Sequence, residues 1–269
     1  MSLGLAAVLV GIALVGGVCI TTIGPGGIFV TIALFHLLDL SPGGVAGTAS
    51  VTFVATGLLG SMAYLRSGEL RGRAVTRAAM VLSGASVVGA FSGAWLNTRL
   101  DASTFGALLG AFVAGTGALI LWREWRARQR ARGRADGRLG IIPGAVAAST
   151  SVGPGTLGMA LVGVGVGLPA GLLGVGGPVL AVPVLVMLGT PMLVAVGLAQ
   201  VQSIFISAFA ALGYGMQGVI DWGVALLVGI PLVVGTAAGW WLAHRIPVAR
   251  LKLGLALVLV GIGLYLLAG

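Results

Sequence analysis

Ile23-Gly-Pro-Gly-Gly-Ile-Phe-Val-Thr-Ile-Ala33 and Leu173-Gly-Val-Gly-Gly-Pro-Val-Leu-Ala-Val-Pro183 are two versions of one element, 150 residues apart, each a glycine break inside an apolar run. Pro25 has no N–H and disfavours helix at Gly24. The glycines permit backbone conformations that other residues resist. A helix therefore ends at each break and another begins beyond it. In the first copy it resumes at about Ile28; in the second, Pro178 suits the first helical position. Backbone freed at membrane depth is tolerated only where protein buries it or where it lines a cavity. The first N–H groups of each new helix lack partners and carry the positive end of the helix dipole, a combination that suits an anion.

Composition places these breaks in a membrane. Of 269 residues, 58% are hydrophobic and 8% charged, with mean hydropathy +1.13. Soluble domains carry about 25% charged residues, so this chain has too few polar groups to clothe a water-exposed surface. Several uncharged stretches are long enough to cross a bilayer as helices. Ten-residue alternating strands, the mark of a membrane barrel, are missing from the sequence. The 48 glycines suit close helix pairing in lipid. The net charge of +9 does not argue for nucleic acid, because seven arginines lie between Arg123 and Arg138 beside only Glu124 and Asp136. Such a stretch stays on the cytoplasmic side and favours anionic lipid headgroups. Cys19 lies in an apolar run and is read as a packing residue. The start Met1-Ser2-Leu3 has no basic leader region, so the first segment is expected to be retained.

The basic stretch separates two similar halves: repeat 1 at 1–122, a basic cytoplasmic linker at 123–140, and repeat 2 at 141–269. At an offset of 150, Gly24, Gly26, Gly27, Gly47, Tyr64 and Gly68 match Gly174, Gly176, Gly177, Gly197, Tyr214 and Gly218. After a four-residue contraction, Gly89, Gly93, Trp95 and Arg99 match Gly235, Gly239, Trp241 and Arg245. Each half reads as a broken segment (about 4–39 and 155–188) and three helices. These run over about 45–64, 74–97 and 103–122, then 194–214, 223–243 and 253–268. The piece 141–153 has no mate. Tryptophans 95, 122, 125, 222, 240 and 241 fall at helix ends, as interfacial anchors do. The loop 65–77 is basic whereas its mate, 215–222, holds only Asp221; the loop 97–103 is neutral whereas its mate, 243–252, holds Arg245, Arg250 and Lys252. Inverted repeats predict that swap under the positive-inside rule. The expected fold is an all-α polytopic membrane protein of two inverted repeats, each a glycine-broken, re-entrant-like segment plus three transmembrane helices. Loops 65–77, 123–138 and 243–252 then face the cytoplasm, with both termini outside.

The expected substrate site lies between the breaks: Gly24, Gly26 and Gly27 from one half, Gly174, Gly176 and Gly177 from the other. Neutral donors surround them: Thr21, Thr22, Ser50 and Thr52, then Gln200, Gln202 and Ser203. Hydroxyls and amides also glue helices together, so either role suits them. His36, an ionisable residue in an apolar segment, is a candidate proton relay. His244 is expected to be solvated. No Cys/His cluster suggests a metal, no Gly-Lys-Ser/Thr follows either break, and no spacing links a nucleophile to a base. Neither an enzyme nor a cofactor is expected. A carrier or channel for another small anion or metabolite, or a proton-coupled cation carrier, is the alternative; the cation carrier is disfavoured because no acidic residue sits mid-membrane. A homodimer is one assembly open to such a chain.

The run Gly171-Leu-Leu-Gly-Val-Gly-Gly-Pro-Val-Leu-Ala-Val-Pro183 resembles the signature of the TauE/SafE sulfite exporter family. The weaker copy at 21–31 and the runs at 46–50, 218–222 and 235–246 are similar to other segments of that family. Departures are Pro25 inside the first copy, Ala33 where a proline would echo Pro183, and Gly197-Leu-Ala-Gln-Val201 where Gly-Thr-Ser is commoner. The resemblance implies a secondary carrier, often an exporter, of small sulfur-containing anions such as sulfite, thiosulfate or organosulfonates.

Overall fold

The computed structural model describes residues 2–135, 155–245 and 249–268, and every regular element among them is helical. In chain order these are α1 (Leu3–Thr22), α2 (Gly27–Leu37), α3 (Pro42–Ser67), α4 (Arg73–Asn97), α5 (Ala102–Ala135), α6 (Thr156–Leu173), α7 (Pro178–Met187), α8 (Met192–Met216), α9 (Trp222–Ala243) and α10 (Ala249–Ala268). Seven of them, α1, α3, α4, α5, α6, α8 and α9, are long and apolar enough to cross a membrane. The chain is a multi-pass membrane protein. The piece 141–153 lies outside the described residues.

Local sequence sets the ends. Ser41 caps α3 by accepting from Gly44 N, with Pro42 in the first turn, and Gly68 closes the helix in the left-handed conformation at φ 97°. Asp221 caps α9 through Val224 N. Helix α5 differs from expectation. It runs on to Ala135, so residues 123–135 of the basic stretch are helical rather than loop. Arginine is a good helix former, and no glycine or proline intervenes before Gly133.

The two halves pack through matching contacts. Helix α4 lies along α6 as α1 lies along α9, and α4 meets α8 as α9 meets α3. Small residues make these crossings close. Gly89 and Gly93 face the α6 backbone near Val164 and Leu168, and their mates Gly235 and Gly239 face the α1 backbone near Leu14 and Val18. The mates α3 and α8 pair directly and run antiparallel: Gly47 packs on Tyr214 at one end, Gly197 on Tyr64 at the other. Helices α5 and α10 do the same, with Gly110 beside Leu266 and Gly117 beside Ala256. Helix α2 folds back along α1, since Gly26 and Val30 both meet Gly16. At the surface, Arg99 stacks 3.6 Å over the Trp95 ring and its mate Arg245 4.0 Å over Trp241. Trp95, Trp122, Trp125, Trp222 and Trp241 are exposed, as side chains at a lipid–water boundary would be.

Candidate functional site

Both breaks lie in the core and touch each other. A Cβ built on Gly24 would come within 2.9 Å of the Pro178 carbonyl oxygen, and one on Gly27 within 2.8 Å of the Val175 carbonyl oxygen. Between them is a cavity of about 10 Å³ lined by Ile20, Gly24, Gly27, Phe53, Thr56, Val175, Gly176, Pro178 and Ser203. That is room for about one water-sized sphere. No charged side chain lines it.

The backbone around the cavity is satisfied unevenly. The C-terminal carbonyls of α1 and α6 have partners drawn from other helices. Tyr64 Oη donates to Thr21 O at 2.8 Å, and its mate Tyr214 Oη to Gly171 O at 2.9 Å, the same bond in both halves. Gln200 Nε2 donates to Ile20 O at 3.3 Å, Asn97 Nδ2 to Leu172 O at 2.8 Å, and Thr31 Oγ1 to Gly174 O. The N-terminal ends of α2 and α7 are treated differently. Their N-cap positions, Gly26 and Gly177, have no side chain to accept from the first N–H groups, and no other side chain caps them. At the negative helix ends, the carbonyls of Ile20, Thr21, Gly171, Leu172 and Gly174 are thus hydrogen-bonded. Two positive ends are left uncapped at one cavity.

The expected donors divide accordingly. Gly24, Gly27, Gly176 and Ser203 line the cavity. The hydroxyls of Thr22, Ser50 and Thr52 donate to carbonyls three or four residues back, on Val18, Ala46 and Ala49. Thr21 Oγ1 donates across to Thr236 O at 2.8 Å. Thr21 thus ties α1 to α9, the packing role that such groups also fill, while the other three hydroxyls bond within their own helices. Gly26 is pressed against α1 and Gly174 against the Ala46 backbone, while Gly177 faces Ser203 and Ile206. Gln202 is fully buried, with neither amide atom hydrogen-bonded. His36 is exposed in the last turn of α2, its ring 6.1 Å from that of Tyr265, at the end of the helix away from the break.

Several residues at the breaks were not anticipated, among them Ile20 and Val175 on the cavity wall. Phe53 and Thr56 line the cavity and Thr31 bonds across the halves. Phe53 is apolar, so polarity gave no cue, although it is the repeat mate of Ser203. His244 is exposed, as expected, and also makes two contacts that sequence did not suggest. Its Nε2 lies 3.2 Å from Glu69 Oε1 and its Nδ1 2.9 Å from Trp240 O, so the α3–α4 loop and the end of α9 meet. The Trp240 carbonyl raises the imidazole pKa from its ordinary 6.5, partial burial opposes this, and Glu69 adds to the rise. For Glu69, burial pushes the carboxyl up, but hydrogen bonds from Ser67 and His244 outweigh it and hold the carboxyl below its ordinary 4.5.

The family profile "Sulfite exporter TauE/SafE" matches residues 9–266, nearly the whole chain. The chain belongs to the TauE/SafE family. A Bacillus subtilis (strain 168) protein described as "Probable membrane transporter protein YdhB" is 24% identical over 253 residues, spanning 93% of this chain and 96% of its own length. No solved structure matches. Membership of a membrane transporter family and seven helices of spanning length make a transporter of this chain. The glycine signature that carried the resemblance is the second break, the one that contributes Val175, Gly176 and Pro178 to the cavity.

Proposed function

We propose that this TauE/SafE transporter is a secondary carrier of small sulfur-containing anions, such as sulfite, thiosulfate or organosulfonates, with export as the expected direction. The observation that carries the reading is the pair of uncapped helix N-termini, at Gly27 and Pro178, set against one uncharged cavity while carbonyls at the ends of α1 and α6 accept from side chains of other helices. Unpartnered N–H groups at two dipole ends favour an anion. The lack of a fixed cation lets the anion leave again. Ser203 would add a hydroxyl donor. A cation would find no carboxylate there.

In this reading the halves are inverted repeats, and transport is alternating access about the breaks. The antiparallel pairing of α3 with α8 and of α5 with α10 supports inversion, because mates related by an axis along the membrane normal would run parallel. A cavity of about 10 Å³ is too small for a sulfur oxyanion, so the halves must shift to admit one. The basic end of α5 would rest on anionic headgroups. No step is assigned to His36.

The test is uptake of labelled sulfite, thiosulfate and sulfoacetate into liposomes holding the purified protein. Saturable uptake of at least one, stimulated by the same anion inside, is expected. Uptake no greater than in protein-free liposomes for all three would sink the substrate assignment.

A further inference from the structure

Phe53 is the one aromatic side chain that lines the cavity between the breaks. Phe53, on α3, is 2% exposed and its ring touches both breaks. A Cβ on Gly27 would fall 2.9 Å from Phe53 Cζ, and one on Gly176 3.4 Å from Phe53 Cδ2. Gly27 opens α2 and Gly176 immediately precedes the N-cap of α7. The ring is therefore wedged between the two uncapped helix ends.

The other half shows what the same position does without the ring. At the offset of 150, Phe53 corresponds to Ser203, and Gly27 to Gly177. The contact of Gly27 with Phe53 recurs as that of Gly177 with Ser203, whose Cα and N lie 3.3 Å from a Cβ built there. One wall carries a phenyl ring where the other carries a hydroxymethyl group. One turn further along each helix the order reverses, with Thr56 on α3 and Ile206 on α8. Both walls thus hold one polar and one apolar residue, but only the ring of Phe53 reaches across to the opposite break.

We propose that Phe53 is the steric gate and size-determining residue of the inter-break cavity. An anion that contacts both helix ends must displace its ring, by rotation of the side chain or by movement of α3 relative to the breaks. The space vacated by the ring then sets the largest anion admitted. The substrate half of this proposal rests on the anion-carrier reading above. The gate half rests on the packing alone.

Two arms keep them separate. In the first, Ser203→Cys is made in a Cys19→Ala background and reacted with 2-sulfonatoethyl methanethiosulfonate. The rate is compared with Phe53 intact, Phe53→Leu and Phe53→Ala. The expected result is slow labelling with the ring present, an intermediate rate with leucine, and a rise of roughly an order of magnitude with alanine. Equal rates in all three overturn the gate. The leucine variant, which keeps most of the apolar volume, decides the matter if the alanine variant does not fold. In the second arm, proteoliposomes carrying wild type or Phe53→Leu are offered organosulfonates of increasing chain length. The variant should accept longer anions than wild type. An unchanged size limit beside working sulfite transport overturns the size role. If neither protein carries any anion, the carrier reading falls, and the labelling rates still decide whether Phe53 is a gate.

Discussion

The two breaks reach one geometry under different constraints. Gly24 and Gly174 both turn the chain with left-handed backbone, at φ 112° and 61°. The next glycines part company. Gly26 has ordinary helical angles, φ −77° and ψ −29°, but no room: a Cβ would overlap the Gly16 carbonyl oxygen. Gly176 has room, with only the Phe53 ring nearby, but sits at φ 77°. One glycine is required by space and the other by conformation. Pro25 accounts for part of the difference. It fixes its own φ in a turn that Gly26 N closes by donating to Gly24 O at 2.9 Å, a bond without a counterpart across Val175. A repeat can thus preserve a shape while exchanging the physical reason for it.

The sharpest way to break this comparison is to place alanine at both positions. Gly26→Ala should fail to fold or insert, because the obstacle is backbone that cannot move aside. Gly176→Ala should fold with a loss of about 1–3 kcal/mol, the usual cost of a strained non-glycine conformation. Thermal unfolding in detergent distinguishes them, and equal losses would erase the distinction. The tyrosines test the opposite point, that the halves agree. Tyr64→Phe and Tyr214→Phe each leave one break carbonyl without its hydroxyl donor, and each should cost about 1–3 kcal/mol. A large gap between them would mean that the matching bonds do not do matching work.

The smallest effect concerns a contact with no counterpart. The mates of Glu69 and His244 are Val219 and Thr98, so only one face of the molecule has this ion pair. The His244 pKa is raised in the folded protein, so its contribution is full below 6.5 and is lost as pH rises through the raised value. The Glu69 pKa is lowered, so its contribution is present above 4.5 and is lost as pH falls through the lowered value. Stability should therefore slip slightly on the alkaline side of the imidazole pKa, and Glu69→Gln should weaken that slope. The pair is exposed enough that a large change would be unexpected.

Much of this fold was readable in the chain. Long apolar runs, caps such as Ser41 and Asp221, and paired glycine breaks announce helices and their interruptions through local chemistry alone. The site was readable only in part. Gly24, Gly27, Gly176 and Ser203 meet at the cavity because the breaks themselves meet. The hydroxyls of Thr21, Thr22, Ser50 and Thr52 do not serve it, since a carbonyl within reach takes each one, and sequence does not say which acceptor lies nearest. Phe53 was invisible for the converse reason: in a chain this apolar, one more phenylalanine carries no signal until its neighbours are known. The extension of α5 to Ala135 shows charge read as loop where helix propensity prevailed.

The central claim is that an anion sits between both breaks at once. Hydrogen exchange measured on peptides covering 24–31 and 174–182, with and without saturating sulfite, tests it most directly. The account predicts that the amides at the starts of α2 and α7 become protected together, because one ligand engages both helix ends. Protection of only one peptide, or of neither under conditions where sulfite is transported, would contradict it.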